Sequence, residues 1–399
     1  MEYLTYSLYG FDILLVAALA IWGINITKNK IKIKIGDKYV FFSFLALLFF
    51  SLISILSAEY FFISLYYVFV LCLGSILYLF VLNKIKNINR LEWCLKIFIY
   101  AVFIQSLIAI GQFINNGYLG LHFLGEQFIS ADNNGVAKIT LDGIKHIRAY
   151  GTLPHPNILA FFILVAGFFN FYFLFQQKKW RQININLAIA AIFSLAILFT
   201  FSRMIWIIAF LMWPSFIYMT MKVANNEKSD KTRHLEIVYA LSAIILALLL
   251  YAYPLIVGRM DFSDPGNLES FQIRSILQDK ALIMINDNIL GVGLGNFTID
   301  VAYLLTGYPT WVVQPVHNTF LLTLAELGVG GFLSLIGLCF FVLKLIKKTI
   351  LPLSFSILAL FPALFFDHYL WDIRQGFFLF ILIISFSVAY SDNKKRYHE

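Results

Sequence analysis

Eleven apolar stretches dominate this sequence and restrict what the chain can fold into. A helix needs roughly 20 predominantly apolar residues to cross the hydrocarbon core of a bilayer. Stretches of about that length lie at about 6–26, 39–57, 60–82, 92–113, 157–175, 185–201, 204–221, 235–257, 318–343, 350–366 and 375–390. Charged residues make up only 13% of the 399, against about 25% in soluble domains. The sequence therefore predicts an all-α, polytopic membrane protein with about eleven transmembrane helices in a single membrane domain, residues 1–399.

The tract 185–221 is apolar throughout except for Phe201-Ser202-Arg203. A single helix of this length would be about 55 Å long at about 1.5 Å per residue, which is too long for one crossing. We interpret the tract as two short helices with Arg203 at the turn between them.

The distribution of Lys and Arg predicts the orientation in the membrane. If eleven helices alternate in direction, 21 of the 30 Lys and Arg residues fall on one side. That side is predicted to be cytoplasmic and to hold the C-terminus, which leaves the N-terminus outside. The net charge of +8 follows from the same bias, so nucleic acid is not expected as a partner.

Two large loops fall on the predicted outer side, at 114–156 and 258–316. The second opens with 261–266, rich in Asp and Gly, and runs towards a glycine-rich segment at 291–295. Between them, apolar residues recur near helical spacing and polar residues take much of the other face. This pattern predicts an amphipathic helix on the membrane surface, with Ile273, Ile276, Leu277, Met284 and Ile285 on its apolar face.

Three arginines kept on the predicted outer side are candidates for binding an anion: Arg148, Arg203 and Arg274. A guanidinium group offers a fork of donors that matches phosphate oxygens. Two plainer interpretations stay open at this point. Arg203 would then extend to the membrane interface, and Arg274 would be a solvated charge on the polar face of its helix.

His317 lies where the second loop enters an apolar segment, in Gln314-Pro315-Val316-His317-Asn318. It is a candidate base, a candidate donor to a phosphate, or only a residue at the start of a helix. No metal ligand stands three or four residues later, and the three cysteines lie in apolar runs without paired spacing, so neither a metal nor a cofactor is expected. Glu326 is expected to be structural.

Two other polar segments are interpreted as structural. His155, between two prolines, is expected to hold the approach to a helix that Asn157 caps. The last outer turn, 366–374, contains Asp372 and Arg374 and is interpreted as an aromatic belt at the interface.

Four short motifs, in order, resemble those of the O-antigen ligase/polymerase superfamily over 148–345. The motifs are Arg148-Ala-Tyr-Gly-Thr with Pro156-Asn157, Phe201-Ser202-Arg203, Arg274 ahead of Leu290–Phe297, and His317-Asn318 with Glu326-Leu327-Gly328 and Gly331. The resemblance implies a fold of the GT-C type in the cytoplasmic membrane. Many members have twelve helices and a cytoplasmic N-terminus, so twelve is the alternative to our count of eleven.

The resemblance also implies a function in surface polysaccharide assembly, such as that of lipopolysaccharide. A glycan would pass from a polyprenyl (undecaprenyl) diphosphate carrier to a hydroxyl of a glycan, lipid or protein acceptor, outside the membrane and without a metal. By this resemblance His317 is the catalytic residue, Arg203 and Arg274 hold the diphosphate, and Arg148 is a further substrate-binding residue. An inverting single displacement is our hypothesis for the reaction.

Three alternatives remain from the sequence. A repeat-unit polymerase of the same superfamily differs from a ligase only in its acceptor. A transporter or flippase of lipid-linked saccharide would use the same basic residues for binding alone, and a membrane scaffold would not use them. Transport predicts polar residues through several helices to the cytoplasmic side, whereas here they cluster at one end, which favours a transferase.

Overall fold

The computed structural model describes residues 6–141, 143–224, 228–260 and 265–397, and these are almost entirely helical. The helices are α1 (Gly10–Asn29), α2 (Lys38–Ser54), α3 (Phe61–Lys84), α4 (Ile88–Asn115), α5 (Pro156–Gln176), α6 (Trp180–Phe199), α7 (Arg203–Ala224), α8 (Lys228–Met260), α9 (Pro265–Asp287), α10 (Phe297–Leu304), α11 (Thr319–Lys344), α12 (Leu351–Phe366) and α13 (Arg374–Tyr397). Two strands, β1 (Lys138–Leu141) and β2 (Ile144–Ile147), pair in an antiparallel hairpin within the first loop. Single 3₁₀ turns lie at Ile55–Ser57, His122–Leu124, Thr310–Val312 and Ile346–Lys348.

Ten of the helices in the described residues are long and apolar enough to cross a membrane. The helix α12 is also apolar but has 16 residues, about 24 Å of helix against a hydrocarbon core of about 30 Å. These eleven helices correspond one to one to the eleven predicted stretches. The prediction of an all-α, polytopic membrane protein is confirmed.

The interpretation of the tract 185–221 as two helices is also confirmed. Helix α6 ends at Phe199 and α7 begins at Arg203. Between them Phe201 has a positive φ of 49°, a left-handed conformation that ends helical pairing. The reversal places Arg203 in the first turn of α7.

The chain divides into two compact units, one formed by 1–91 with 272–399 and the other by 92–271. In the first unit α2 packs along α11 and α3 along α13. In the second unit α5 is buried along most of its length, against α6 and α7. This helix begins with Pro156, and its N-cap is His155, whose Nδ1 accepts a hydrogen bond from Asn157 N at 3.1 Å. The prediction that Asn157 caps the helix was wrong, because the histidine one residue before Pro156 already occupies that position.

Helix α11 contains a break that organises the first unit around the second loop. Gly328 has φ 65° and ψ −167°, so the backbone groups around it lose their helical partners. The segment 289–293 supplies replacements: Val292 N donates to Ala325 O at 2.9 Å and Gly293 N donates to Glu326 O at 3.0 Å. Every buried backbone group needs such a partner, and the glycine-rich segment therefore completes the helix it crosses.

The close crossing requires glycine at two positions. A Cβ atom at Gly328 would lie 2.2 Å from Ile289 O, and one at Gly291 would lie 2.3 Å from Glu326 O. Both residues also have a positive φ, which other residues adopt at a cost. The glycines that the sequence placed in motifs thus allow two backbones to meet.

The helix predicted in the second loop is present as α9. Leu277, Ala281 and Met284 are buried along one face at helical spacing. Leu282 and Ile283 are exposed, so apolar residues are not confined to that face. Its position on the membrane surface stays a prediction, and residues 261–264 at the opening of the loop lie outside the described residues.

Candidate active site

The segment that carries His317 is fixed by the start of α11. Asn318 is the N-cap of that helix, and its side-chain oxygen accepts hydrogen bonds from Phe320 N at 2.9 Å and Leu321 N at 3.1 Å. Thr319 Oγ1 donates to the backbone oxygen of Asp367 at 2.9 Å. The beginning of α11 is therefore tied to the end of α12.

His317 and Asp367 meet at this junction. His317 Nδ1 lies 3.1 Å from Asp367 Oδ1, and both side chains are largely shielded from solvent, with 14% and 4% of their surface exposed. Since a carboxylate can only accept, we assign the proton of this hydrogen bond to His317 Nδ1. Nε2 is then the ring nitrogen that can accept a proton from another molecule.

Two further residues extend the contact. Asp367 Oδ1 also accepts a hydrogen bond from His368 N at 2.9 Å and lies 3.8 Å from His368 Nε2. His368 Nδ1 lies 2.8 Å from Asp372 Oδ1, and the rings of His317 and His368 are 4.9 Å apart between centroids. His317, Asp367, His368 and Asp372 form one connected group, which we call the His–Asp cluster.

The pKa values of the two histidines of the cluster are shifted in opposite directions. Burial lowers the pKa of His317, and the attraction of Asp367 only partly offsets it. Burial also disfavours the charged form of His368, but the carboxylates of Asp372 and Asp367 outweigh it and raise its pKa. His317 is therefore the histidine held neutral and His368 the one that carries a proton more readily.

Asp367 remains ionised. Burial by itself would raise its pKa, but His317, His368 and Arg274 outweigh burial and hold the pKa well below its usual range. A permanent carboxylate at this position can orient the imidazole of His317 and stabilise its protonated form.

Arg274, on α9, is close enough to act electrostatically on the cluster. Its positive charge contributes to lowering the pKa of His317 and that of Asp367. Arg274 is half-buried. Of the predicted site residues, the structure therefore brings Arg274 and His317 together in the first unit.

Asp372 and Arg374, two polar residues of the last outer turn, line the same cavity, but Arg374 is paired elsewhere. Its guanidinium instead forms an ion pair with Asp12 of α1 and hydrogen bonds with Tyr66 of α3. Asp372 contacts His368. The turn 366–374 is thus divided between a contact that holds helices together and the His–Asp cluster.

In the second unit Arg203 lies at the turn that links α6 to α7. Its guanidinium carbon is 4.9 Å from the centre of the Phe271 ring, a cation–π distance. Arg259 Nε donates to Phe201 O of the same turn at 3.2 Å. Two arginines therefore lie around one reversal of the chain.

Arg148 is buried and supports that same turn. Its Nε donates to Thr200 O at 2.6 Å and its Nη2 donates to Asn157 Oδ1 at 2.6 Å. Ala149 N also donates to Phe199 O at 2.8 Å. Arg148 thereby joins the start of α5 to the end of α6, three residues before Arg203.

The donor set of the cluster is also of a kind that can hold a metal ion. One ligand atom from each of His317, Asp367 and His368 lies within 4.8 Å of the others, and two imidazoles with a carboxylate suit several divalent ions. The sequence-based expectation of no metal considered only residues near His317. Spacing along one segment could not detect ligands 50 residues away.

A comparison with protein families finds a match for part of the chain. Residues 188–336 match the family described as O-antigen ligase. The matched segment covers less than half of the chain, and over that segment the chain is similar to this family. No curated protein and no solved structure matches it. The resemblance stated from the motifs is confirmed for this segment, and the chain is a multi-pass membrane protein with a segment similar to the O-antigen ligase family.

The matched segment contains three of the four predicted site residues. Arg203, Arg274 and His317 lie inside 188–336, whereas Arg148 and Asp367 lie outside it. The partners of both outlying residues lie within or beside the segment, since Arg148 holds the turn before Arg203 and Asp367 binds His317.

Sequence reasoning missed Asp367 and His368. Both lie in a turn rich in aromatic residues, which was interpreted as an interface belt. The usable signal was an Asp-His pair at the end of the second apolar helix after His317, on the same predicted side of the membrane. Any choice among the acidic residues on that side still required the packing of α11 against α12.

Proposed function

We propose that this protein transfers a glycan from a polyprenyl-diphosphate carrier to an acceptor hydroxyl on the outer face of the cytoplasmic membrane. The observation that supports this proposal most directly is the hydrogen bond between His317 Nδ1 and Asp367 Oδ1, beside the charge of Arg274. A base oriented by a carboxylate, next to a cation, suits an attack by a hydroxyl on a substrate with an anionic leaving group.

His317 acts as the general base. Its Nε2 takes the proton of the acceptor hydroxyl as the oxygen bonds to the anomeric carbon of the first glycan sugar. The bond from that carbon to the diphosphate oxygen breaks, and the lipid diphosphate leaves with the electron pair. This single displacement inverts the anomeric centre and requires no metal in the step.

Asp367 assists this transfer without touching the substrate. Its carboxylate fixes the tautomer with hydrogen on Nδ1, and it stabilises the imidazolium that forms when Nε2 is protonated. Because burial lowers the pKa of His317, the imidazole is neutral at pH 7 and available as a base. Asp367 is therefore a positioning residue.

Arg274 and Arg203 are each proposed to bind diphosphate oxygens. The leaving group gathers negative charge as the glycosidic bond breaks, and arginines already in place stabilise that charge. Arg274 is supported by its effect on the cluster, and Arg203 by its position at the start of α7, where helix N–H groups also favour an anion. Arg148, predicted as substrate-binding, is better supported as a residue that positions the turn carrying Arg203.

A ligase and a repeat-unit polymerase would share this machinery and differ in the acceptor. The test uses purified protein, a polyprenyl-diphosphate glycan, and a panel of lipid, glycan and protein acceptors. His317→Ala should abolish transfer in protein that still folds, and the matched variant His146→Ala, in the first loop, should retain transfer. Full transfer by a folded His317→Ala protein would remove the base from this proposal.

A further inference from the structure

A cavity adjoins the His–Asp cluster in the first unit. It measures about 50 Å³, which is room for roughly three to five water molecules. Its lining includes Tyr66, Tyr67, Pro315, Glu326, Trp371 and Asp372. Asp372 belongs to the His–Asp cluster, and Pro315 is two residues from His317 in the chain, so the cavity lies beside the residues of the proposed reaction.

The carboxylate of Asp372 has one oxygen with a hydrogen-bond partner and one without. Its Oδ1 is occupied by His368 Nδ1 at 2.8 Å. Its Oδ2 is buried and has no hydrogen-bond partner among the described residues, and only 7% of the side chain is exposed. A buried carboxylate oxygen without a donor costs free energy. A bound molecule that donates a hydrogen bond would satisfy it.

Two other ionisable groups of the cavity, Glu326 and Arg374, are already engaged. Glu326 receives hydrogen bonds from the backbone of Gly295 and Phe297 and from the side chain of Trp371. The charge of Arg374 is neutralised by Asp12. The carboxylate of Asp372 faces the cavity and its arginine is paired, so the cavity is unsuited to a diphosphate. A neutral molecule with hydroxyl donors fits this charge balance.

The aromatic side chains further restrict the class of molecule that the cavity can bind. Tyr66, Tyr67 and Trp371 line the same cavity, and such rings present an apolar face together with a polar edge. A sugar ring has the matching surfaces, since its C–H groups form apolar faces and its hydroxyls lie around the rim. The volume admits one hydroxyl-bearing edge of a sugar rather than an entire ring.

We propose that this cavity binds the acceptor sugar, with one of its hydroxyls donating a hydrogen bond to Asp372 Oδ2. The assignment rests on the proposed function, in which a second hydroxyl of the same acceptor loses its proton to His317. Because the other oxygen of Asp372 is hydrogen-bonded to His368, Asp372 links the bound sugar to the His–Asp cluster.

The experiment measures sugar binding without requiring transfer. Full-length protein in phospholipid nanodiscs is mixed with methyl β-glycosides of glucose, galactose and N-acetylglucosamine, which carry no lipid chain. Saturation-transfer NMR, with irradiation of aromatic protons, detects ring protons of a bound glycoside. At least one glycoside should show transfer, and its apparent Kd should be unchanged when saturating polyprenyl-diphosphate glycan is added.

Two variants locate the binding. In Asp372→Asn the amide oxygen has to keep the hydrogen bond from His368, so the NH₂ group faces the cavity and cannot accept from a hydroxyl. We expect the apparent Kd to rise at least fivefold. Glu59→Gln removes an exposed carboxylate of the same unit that is not in the cavity, and it should leave binding unchanged.

The outcomes separate this inference from the proposed function. His317→Ala should bind the glycoside normally while losing transfer. Wild-type protein that binds a glycoside but transfers no glycan would contradict the proposed reaction and leave the cavity assigned. The cavity assignment is overturned by an Asp372→Asn protein that binds as wild type, by displacement of the glycoside by the donor, or by saturation transfer that is absent for all three glycosides.

Discussion

Oδ1 of Asp367 lies 3.1 Å from Nδ1 of His317, although the two residues are 50 positions apart in the chain. The contact joins the first residues of α11 to the last of α12, and a second hydrogen bond from Thr319 Oγ1 to Asp367 O holds the same two ends together. The orientation of a candidate base is therefore built into the packing of two membrane helices.

Replacing Asp367 tests this relationship directly. Asp367→Asn keeps the size of the side chain but no longer favours hydrogen on Nδ1 of His317, so we expect the kcat of glycan transfer to fall by about 10²–10⁴-fold. The measurement is transfer from a polyprenyl-diphosphate glycan at saturating acceptor. Asp132→Asn, exposed in the first loop, is the control, and equal rates in both variants would contradict the role of Asp367.

The pH dependence of glycan transfer follows from the lowered pKa of His317. The base must be neutral to accept a proton, and burial lowers its pKa, so activity should persist below the ordinary histidine value of about 6.5 and fall only at lower pH. Asp367 opposes that shift, so Asp367→Asn should move the acid limb to still lower pH. The measurement is kcat/KM against pH for both proteins. An acid limb at or above pH 7 in the wild type would be inconsistent with a neutral buried base.

The break in α11 predicts that one methyl group added at Gly328 strongly lowers the stability of the protein. Gly328→Ala places a Cβ atom 2.2 Å from Ile289 O. The backbone of Gly328, with φ 65° and ψ −167°, lies in a region almost confined to glycine, which costs another residue about 1–3 kcal/mol. The unfolding temperature in detergent should fall well below that of the wild type. Gly23→Ala, in α1 with nothing within 4 Å of the added atom, should leave it unchanged or slightly raised. Similar stability of both variants would argue against the crossing at Gly328.

Arg148 makes two short hydrogen bonds that a lysine cannot reproduce together. Arg148→Lys retains the charge but loses the planar fork that joins Thr200 O to Asn157 Oδ1, so stability should fall by about 1–3 kcal/mol. Arg181→Lys, exposed at the start of α6, is the matched control for thermal unfolding. If Arg148 binds substrate without supporting the turn, stability will be unaffected and only the KM for the donor will rise.

The ion pair between Asp12 and Arg374 can be measured by a double-mutant cycle. Both side chains are buried, with 3% and 10% of their surface exposed, and removing one partner of such a pair costs about 3–5 kcal/mol. Asp12→Asn and Arg374→Gln should each lower thermal stability, and the double variant should be more stable than the sum of the single changes predicts. Additive losses would indicate that the two charges do not interact.

The sequence by itself determined the helical membrane fold, the eleven spans and the break before Arg203. These depend on local quantities, because each segment in lipid must satisfy its own backbone and span a fixed thickness. It also nominated His317 and Arg203, which stand at the edges of apolar segments, and Arg274, on the predicted helix of the second outer loop.

Only the tertiary structure decided which polar groups are partners. It paired His317 with Asp367, Asp372 with His368 and Arg374 with Asp12. The composition of 366–374 is the same for an interface belt as for a candidate active site. The difference lies in which helix ends come into contact, and that depends on side-chain packing between segments far apart in the chain, which no local pattern records.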